Sequence, residues 1–212
     1  MAVSYKPTRM EMSRLKKRLV TASRGHKLMK DKRDETVRRF ITFVRRNREL
    51  RARVETLMGE AMASFVIAKA TMSTAAVEEA LCFPAALAKV EVGSAKVLSV
   101  EVPQLTYIPS ASRGLPYGML GTSTELDAAV GRFSELMPLL IELAEVEKTC
   151  NLLADEIEKT RRRVNALEYV MIPQLQDAIH DISMKLDENE RGNLTRLMKT
   201  KDMLKAKEEQ AY

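Results

Sequence analysis

A heptad seam limits what this chain can fold into. From Met12 the seam steps by three and four through Leu15, Leu19, Ala22, His26, Met29, Arg33 and Thr36, then through Phe40, Phe43, Asn47, Leu50, Val54 and Leu57. A repeat sustained over about six heptads separates a coiled coil from a short amphipathic helix. Beyond Leu57 the seam slips by one and continues through Met58, Ala61, Phe65, Ala68 and Met72. Thr8, with Glu11 three residues on, has the form of a capping box. No proline interrupts residues 8–83. At 1.5 Å per residue a helix from residue 8 to about 80 is on the order of 100 Å long. Such a helix does not persist alone in water. It needs a partner.

The same chain supplies one. From about Ser123 a second seam runs through Leu136, Leu139, Leu143, Val146, Cys150, Leu153, Ile157, Thr160, Val164, Leu167 and Met171. After Pro173 it jumps by one position to Leu175, Ile179, Ile182 and Leu186, then Leu194 and Leu197. Proline removes a backbone donor and crowds the preceding turn, so a kink is expected near residues 169–173. Pro138 marks either a helix start or a second bend.

Residues 82–123 read differently. They hold Pro84, Pro103, Pro109 and Pro116 with Gly93, Gly114, Gly118 and Gly121, and the apolar period falls to two. Val90 and Val92, then Leu98, Val100 and Val102, flank Gly93-Ser94-Ala95-Lys96, a β-hairpin pattern with its turn at those four residues. Ser110 to Gly121 reads as an exposed loop. The expected fold is therefore all-α: residues 1–81 and 124–212 form two long antiparallel helices of a coiled coil, joined by residues 82–123 with the hairpin. Folding back at this segment pairs positions whose numbers total roughly 200, with both termini at one end.

Composition agrees. Hydrophobic residues make up 45% but aromatics only 5%, with no Trp and 13 Met, so the apolar surface suits a seam better than a large globular core. Charge is polarised. Residues 1–53 carry 18 Lys and Arg against 5 Asp and Glu, residues 77–147 carry 4 against 10, and residues 148–212 carry 12 of each. Different partners are expected at different places along the molecule. Cys82 and Cys150 match no metal or redox spacing and read as free thiols of a reducing compartment. The N-terminus is polar, and no apolar stretch approaches the roughly 20 residues that span a bilayer. A cytoplasmic protein without membrane insertion is expected.

Catalytic chemistry is not visible. The glycines of residues 114–121 end in no Gly-Lys-Ser/Thr phosphate loop, and His26 and His180 alone form neither a metal pair nor a catalytic set, so no cofactor is expected. His26, Arg33 and Asn47 on the seam read first as polar residues that fix register. Met10, Met12, Met29, Met58, Met62 and Met72 read as adaptable core filler. Arg38, Arg39, Arg45, Arg46, Arg48, Arg51 and Arg53 invite a nucleic-acid reading, yet no stacking aromatics or recognisable module accompany them. The antiparallel pairing sets Arg161, Arg162 and Arg163 opposite Arg38 and Arg39. Clustered cations of this kind require an acidic external partner.

Two stretches carry a specific likeness. The first is Pro7-Thr8-Arg9 with Leu15-Lys16-Lys17-Arg18-Leu19, Gly25-His26-Lys27-Leu28-Met29-Lys30 and Asp31-Lys32-Arg33-Asp34. The second is Glu145-Val146-Glu147-Lys148-Thr149-Cys150, then Glu156 to Glu168 through Thr160-Arg161-Arg162-Arg163-Val164-Asn165-Ala166-Leu167, and Ile172-Pro173. Together they resemble the D subunit of V-type (V/A-type) rotary ATPases, the bacterial form in particular, over essentially the whole chain. The resemblance implies a non-catalytic central rotor shaft, peripheral to the membrane, that couples ATP hydrolysis or synthesis to proton or sodium movement. The end with both termini would enter the hexamer of catalytic (A) and non-catalytic (B) subunits. Arg38, Arg39, Arg45, Arg46, Arg161, Arg162 and Arg163 would face that hexamer. The hairpin, with Val90, Val92, Leu98, Val100 and Val102, would face the small F subunit or the socket subunit on the membrane ring. The competing expectation is a prefoldin-type coiled-coil chaperone, whose helix tips expose apolar residues; here the terminal end is basic.

Overall fold

A computed structural model describes residues 5–82, 88–109, 117–118 and 121–209. The elements are α1 (Arg9–Thr71), α2 (Thr74–Leu81), β1 (Lys89–Val97), β2 (Val100–Ile108), α3 (Thr124–Ala166), a π-helical turn (Leu167–Met171) and α4 (Ile172–Glu209). The fold is helical, with one antiparallel hairpin between the long helices. Two compact units are present, one of Met1–Arg33 with Lys159–Tyr212 and the other of Asp34–Glu158. Residues 83–87 and most of the expected 110–121 loop lie outside the described residues.

In the first unit the early turns of α1 run antiparallel to α4. Leu15 is fully buried against Leu175, Ala178 and Ile182, with Met12, Leu19 and Leu186 packed around them. Burying a leucine of this kind stabilises by about 1.5–3 kcal/mol. Arg9 pairs with Glu190 at 3.5 Å and His26 Nε2 meets Glu168 Oε2 at 3.2 Å, so α4 descends as α1 ascends. The N-cap expected at Thr8 is present, its Oγ1 accepting from Glu11 N–H at 3.2 Å.

The register jump has a physical origin. Pro173 cannot donate to the Tyr169 carbonyl, and its ring crowds that carbonyl. The chain answers with the π turn at Leu167–Met171, which holds one residue more per turn and so advances the seam by one. Met171, expected on the seam, is half exposed there. Leu194 and Leu197, also expected on the seam, are exposed as well. Glu190 already faces Arg9, the first residue of α1, so later turns of α4 have no α1 turn to pack on.

In the second unit Val54, Ala61, Ser64 and Ala68 of α1 and Leu136, Val146, Thr149, Cys150 and Leu153 of α3 are buried. Polar seam residues satisfy themselves locally: Ser64 Oγ donates to Glu60 O at 3.0 Å and Thr149 Oγ1 to Glu145 O at 2.8 Å. Asn47 hydrogen-bonds Cys150 across the seam. Arg132 of α3 reaches Ser64 Oγ and the Glu60 carbonyl of α1. Pro138 lies inside α3 and neither starts nor ends it.

Three expectations are corrected. The first helix does not run unbroken to residue 80. It stops at Thr71, and Ser73 caps a new helix, its side chain accepting from Ala76 N–H. Thr71 Oγ1 bonds back to the Ala68 carbonyl at 2.9 Å, so local hydroxyls favour the break. The hairpin turn lies at Leu98-Ser99 and not at Gly93–Lys96, because Val97 pairs with Val100 and the ladder runs on to Lys89 with Ile108. That register gives two fully paired nine-residue strands at the expense of a left-handed Leu98, φ 56°. Leu98 is thus a turn residue. Among the methionines Met10 and Met62 are exposed and fill no core.

Candidate partner-binding surfaces

Formal charge divides along the boundary between the units. Residues 1–33 with 159–212 carry 22 Lys and Arg against 11 Asp and Glu, while residues 34–158 carry 13 against 18. The unit holding both chain ends is basic and the unit holding the hairpin is acidic. Arg161, Arg162 and Arg163 are exposed on the last turns of α3 in the basic unit, and Val164 beside them is buried. Arg38, Arg39, Arg45 and Arg46 are exposed on α1 in the acidic unit. The seven expected arginines therefore fall in two sets, one in each unit.

Within the acidic unit several of these cations are engaged at home. Glu35 accepts from Arg39 Nε at 3.1 Å and lies 3.8 Å from Arg38. Arg46 pairs with Glu142, and Arg51 lies near Glu55 at 3.8 Å and Glu147 at 3.9 Å. Exposed pairs like these are worth about 0–1 kcal/mol each, so they exchange readily for contacts to another protein.

The hairpin is held by one of its edges. Leu105 N–H, on the side of β2 away from β1, donates to Glu145 Oε2 of α3 at 2.8 Å. A carboxylate thereby satisfies a strand-edge donor that would otherwise invite further pairing. Val102 is 5% exposed and Val100 half-buried. Val92 is 73% exposed, and Val90 and Leu98 are exposed with it. The five hairpin residues thus divide between an inward and an outward surface. Nothing in the sequence pattern of Glu145 distinguished it from the other acids of its helix.

Tyr117 ties the end of the connecting segment to α3. Its hydroxyl donates to Asp127 Oδ1 at 2.8 Å, and its ring packs on the cluster of Ala68, Ala80 and Leu126. Burial, then that hydrogen bond and the Asp127 charge, push its pKa from 10.0 up to about 12. The neutral phenol is the favoured form, so its contribution is complete below pH 10.0 and lost as pH rises through about 12. Thermal unfolding of Tyr117→Phe should be the less pH-dependent across that window. Equal slopes would exclude the linkage.

Among the described residues no group of three or more His, Cys, Asp or Glu is placed to hold a metal, and no helix is long and apolar enough to cross a membrane. The family of ATP synthase D subunits matches residues 11–202. The chain belongs to the ATP synthase D-subunit family. Relatives in this family include the V-type ATP synthase D subunit of Acetivibrio thermocellus, 55% identical over 201 residues, covering 93% of this chain and 90% of the relative. The V-type ATP synthase D subunit of Thermoanaerobacter sp. strain X514 is 53% identical, covering 95% of this chain and 97% of its own. That of Enterococcus faecalis is 52% identical, covering 96% and 98%. An ATP synthase D-family chain is a central-stalk component of a rotary ATPase, and the prefoldin-type alternative finds no support.

Proposed function

We propose that this chain is the non-catalytic rotor shaft of the complex, peripheral to the membrane on the cytoplasmic side. Its basic unit, with both termini, turns inside a hexamer of catalytic A and non-catalytic B subunits. The hairpin segment engages the small F subunit and the socket subunit on the membrane ring. In this reading the segments 1–81 and 124–212 supply the shaft, through α1, α3 and α4, and residues 82–123 the lower docking segment. ATP binds in the hexamer; the chain has no phosphate loop.

Coupling is a difference in contact energy. Each catalytic interface alternates between conformations of different nucleotide affinity, and the angle of an asymmetric shaft favours one of them. The observation that carries this reading is the opposite charge of the two units, with the cations on exposed helix faces. Exposed cations against an acidic or polar sleeve attract without interlocking, because each contact is worth about 0–1 kcal/mol. Weak contacts let the shaft turn.

The test is reconstitution. The purified chain should hydrolyse no ATP, and hexamer ATPase should drive ion movement only when the chain is present. Ion movement without it would reject the reading. Deleting Lys89–Ile108 should leave binding to the hexamer intact while impairing retention of the F or the socket subunit; normal retention of both would exclude the hairpin as their contact.

A further inference from the structure

Two polar signals meet where α1 breaks and α3 begins. Met72 follows the last residue of α1, and its Sδ accepts from Ser123 N–H at 3.4 Å, 51 residues along the chain. Ser123 precedes the first residue of α3, and its carbonyl accepts from Leu126 N–H at 3.0 Å. Its hydroxyl behaves unlike that of Ser73, which caps α2 by accepting from Ala76 N–H. Ser123 Oγ is buried and has no hydrogen-bond partner among the described residues. A buried hydroxyl left unpaired is costly, and folded proteins keep few of them. Met72 is half-buried and packs on the cluster of Ala68, Ala80 and Leu126, so a weak thioether bond and an orphan hydroxyl share one joint.

A thioether is a weak acceptor, whereas a sulfoxide oxygen is polar and a strong one. We propose that Met72 is a reversible oxidation site, whose sulfoxide oxygen accepts from the Ser123 hydroxyl and ties α1 to α3. The oxidant is a hydroperoxide such as hydrogen peroxide. One sulfur lone pair meets the Ser123 N–H, and the other attacks the nearer peroxide oxygen. The S–O bond forms as the O–O bond breaks, and the farther oxygen leaves as water with the proton of the nearer one. Sulfur loses two electrons and the peroxide gains them. Oxidation of a methionine ordinarily disrupts apolar packing. Here the new dipole meets a buried donor that lacks a partner, so the change tightens the joint. Methionine sulfoxide reductase returns the thioether.

Hydrogen exchange read by peptide mass spectrometry tests this on the full chain. A Cys82→Ser background is used, because Cys82 is exposed and free and would be oxidised as well. Peroxide should convert Met10 and Met198 first, which are 83% and 66% exposed, and then the half-buried Met72. Chain oxidised at Met72 should exchange the amides of residues 123–126 about threefold to tenfold more slowly, the worth of one added hydrogen bond. Reductase treatment should restore the original rate. Met72→Leu should show no slowing with peroxide. Met72→Gln supplies an amide oxygen in place of the sulfoxide oxygen and should slow exchange without peroxide. Ser123→Ala should abolish the slowing in both cases while Met72 still oxidises. Met72 that stays reduced once Met10 and Met198 are fully converted would overturn the proposal. So would equal or faster exchange in the Met72 sulfoxide, or slowing that survives Ser123→Ala.

Discussion

Leu153→Ala is expected to destabilise the acidic unit by about 2–5 kcal/mol, the largest loss for a single truncation on this seam. Leu153 is 0% exposed on α3, among the buried Val146, Thr149 and Cys150. Truncation loses the transfer energy of the removed methyl groups and leaves a void on the helix face that also carries the buried Thr149 and Cys150. Two packed helices can move together to close part of such a void, which favours the lower half of the range. Leu197→Ala is the control. Leu197 has seam spacing in the sequence but is 66% exposed, so its loss should stay within about 0.5 kcal/mol. Chemical denaturation followed by circular dichroism reads both. Equal losses would mean that the end of α4 is packed and the seam does not stop at Leu186.

Reversing Arg161, Arg162 and Arg163 to Glu should leave the chain folded and reduce coupled ATPase activity by about tenfold or more. All three are exposed, so the folding change should stay within about 1 kcal/mol. Against an acidic partner each reversal converts attraction into repulsion. Three such changes total about 2–4 kcal/mol, and about 1.4 kcal/mol is a factor of ten. Raising ionic strength should narrow the difference between wild type and variant, since exposed charges are screened within about 10 Å at 0.1 M salt. The neutral Gln triple should fall between the two. Unchanged coupling in the Glu triple would show that these arginines bear on nothing.

Legibility in the sequence followed the nature of each interaction. The α1 seam from Met12 to Met72 was readable because coiled-coil packing imposes a period, and every position on it is buried or half-buried. The slip at Pro173 was readable because proline acts on its own turn. The break at Met72-Ser73 was not: it depends on two hydroxyls that cap and back-bond, and Ser and Thr occur throughout helices without doing so. Gly93-Ser94 is the stronger turn signal in isolation. It lost to the Leu98-Ser99 turn because strand length outweighs one residue's left-handed strain, an energy that only the whole register reveals. The Glu145 bond to Leu105 joins residues 40 positions apart, beyond any local pattern. The charge polarity was visible in composition, but the boundary that sorts it into a basic and an acidic unit belongs to the fold.

Rotation is the direct observable. With the hexamer fixed to a surface and a bead attached through Lys96→Cys, on the exposed hairpin in a Cys82→Ser background, ATP should drive continuous turning in one direction. ADP alone should not. A bead that stays still while the hexamer hydrolyses ATP with this chain bound would contradict the shaft assignment.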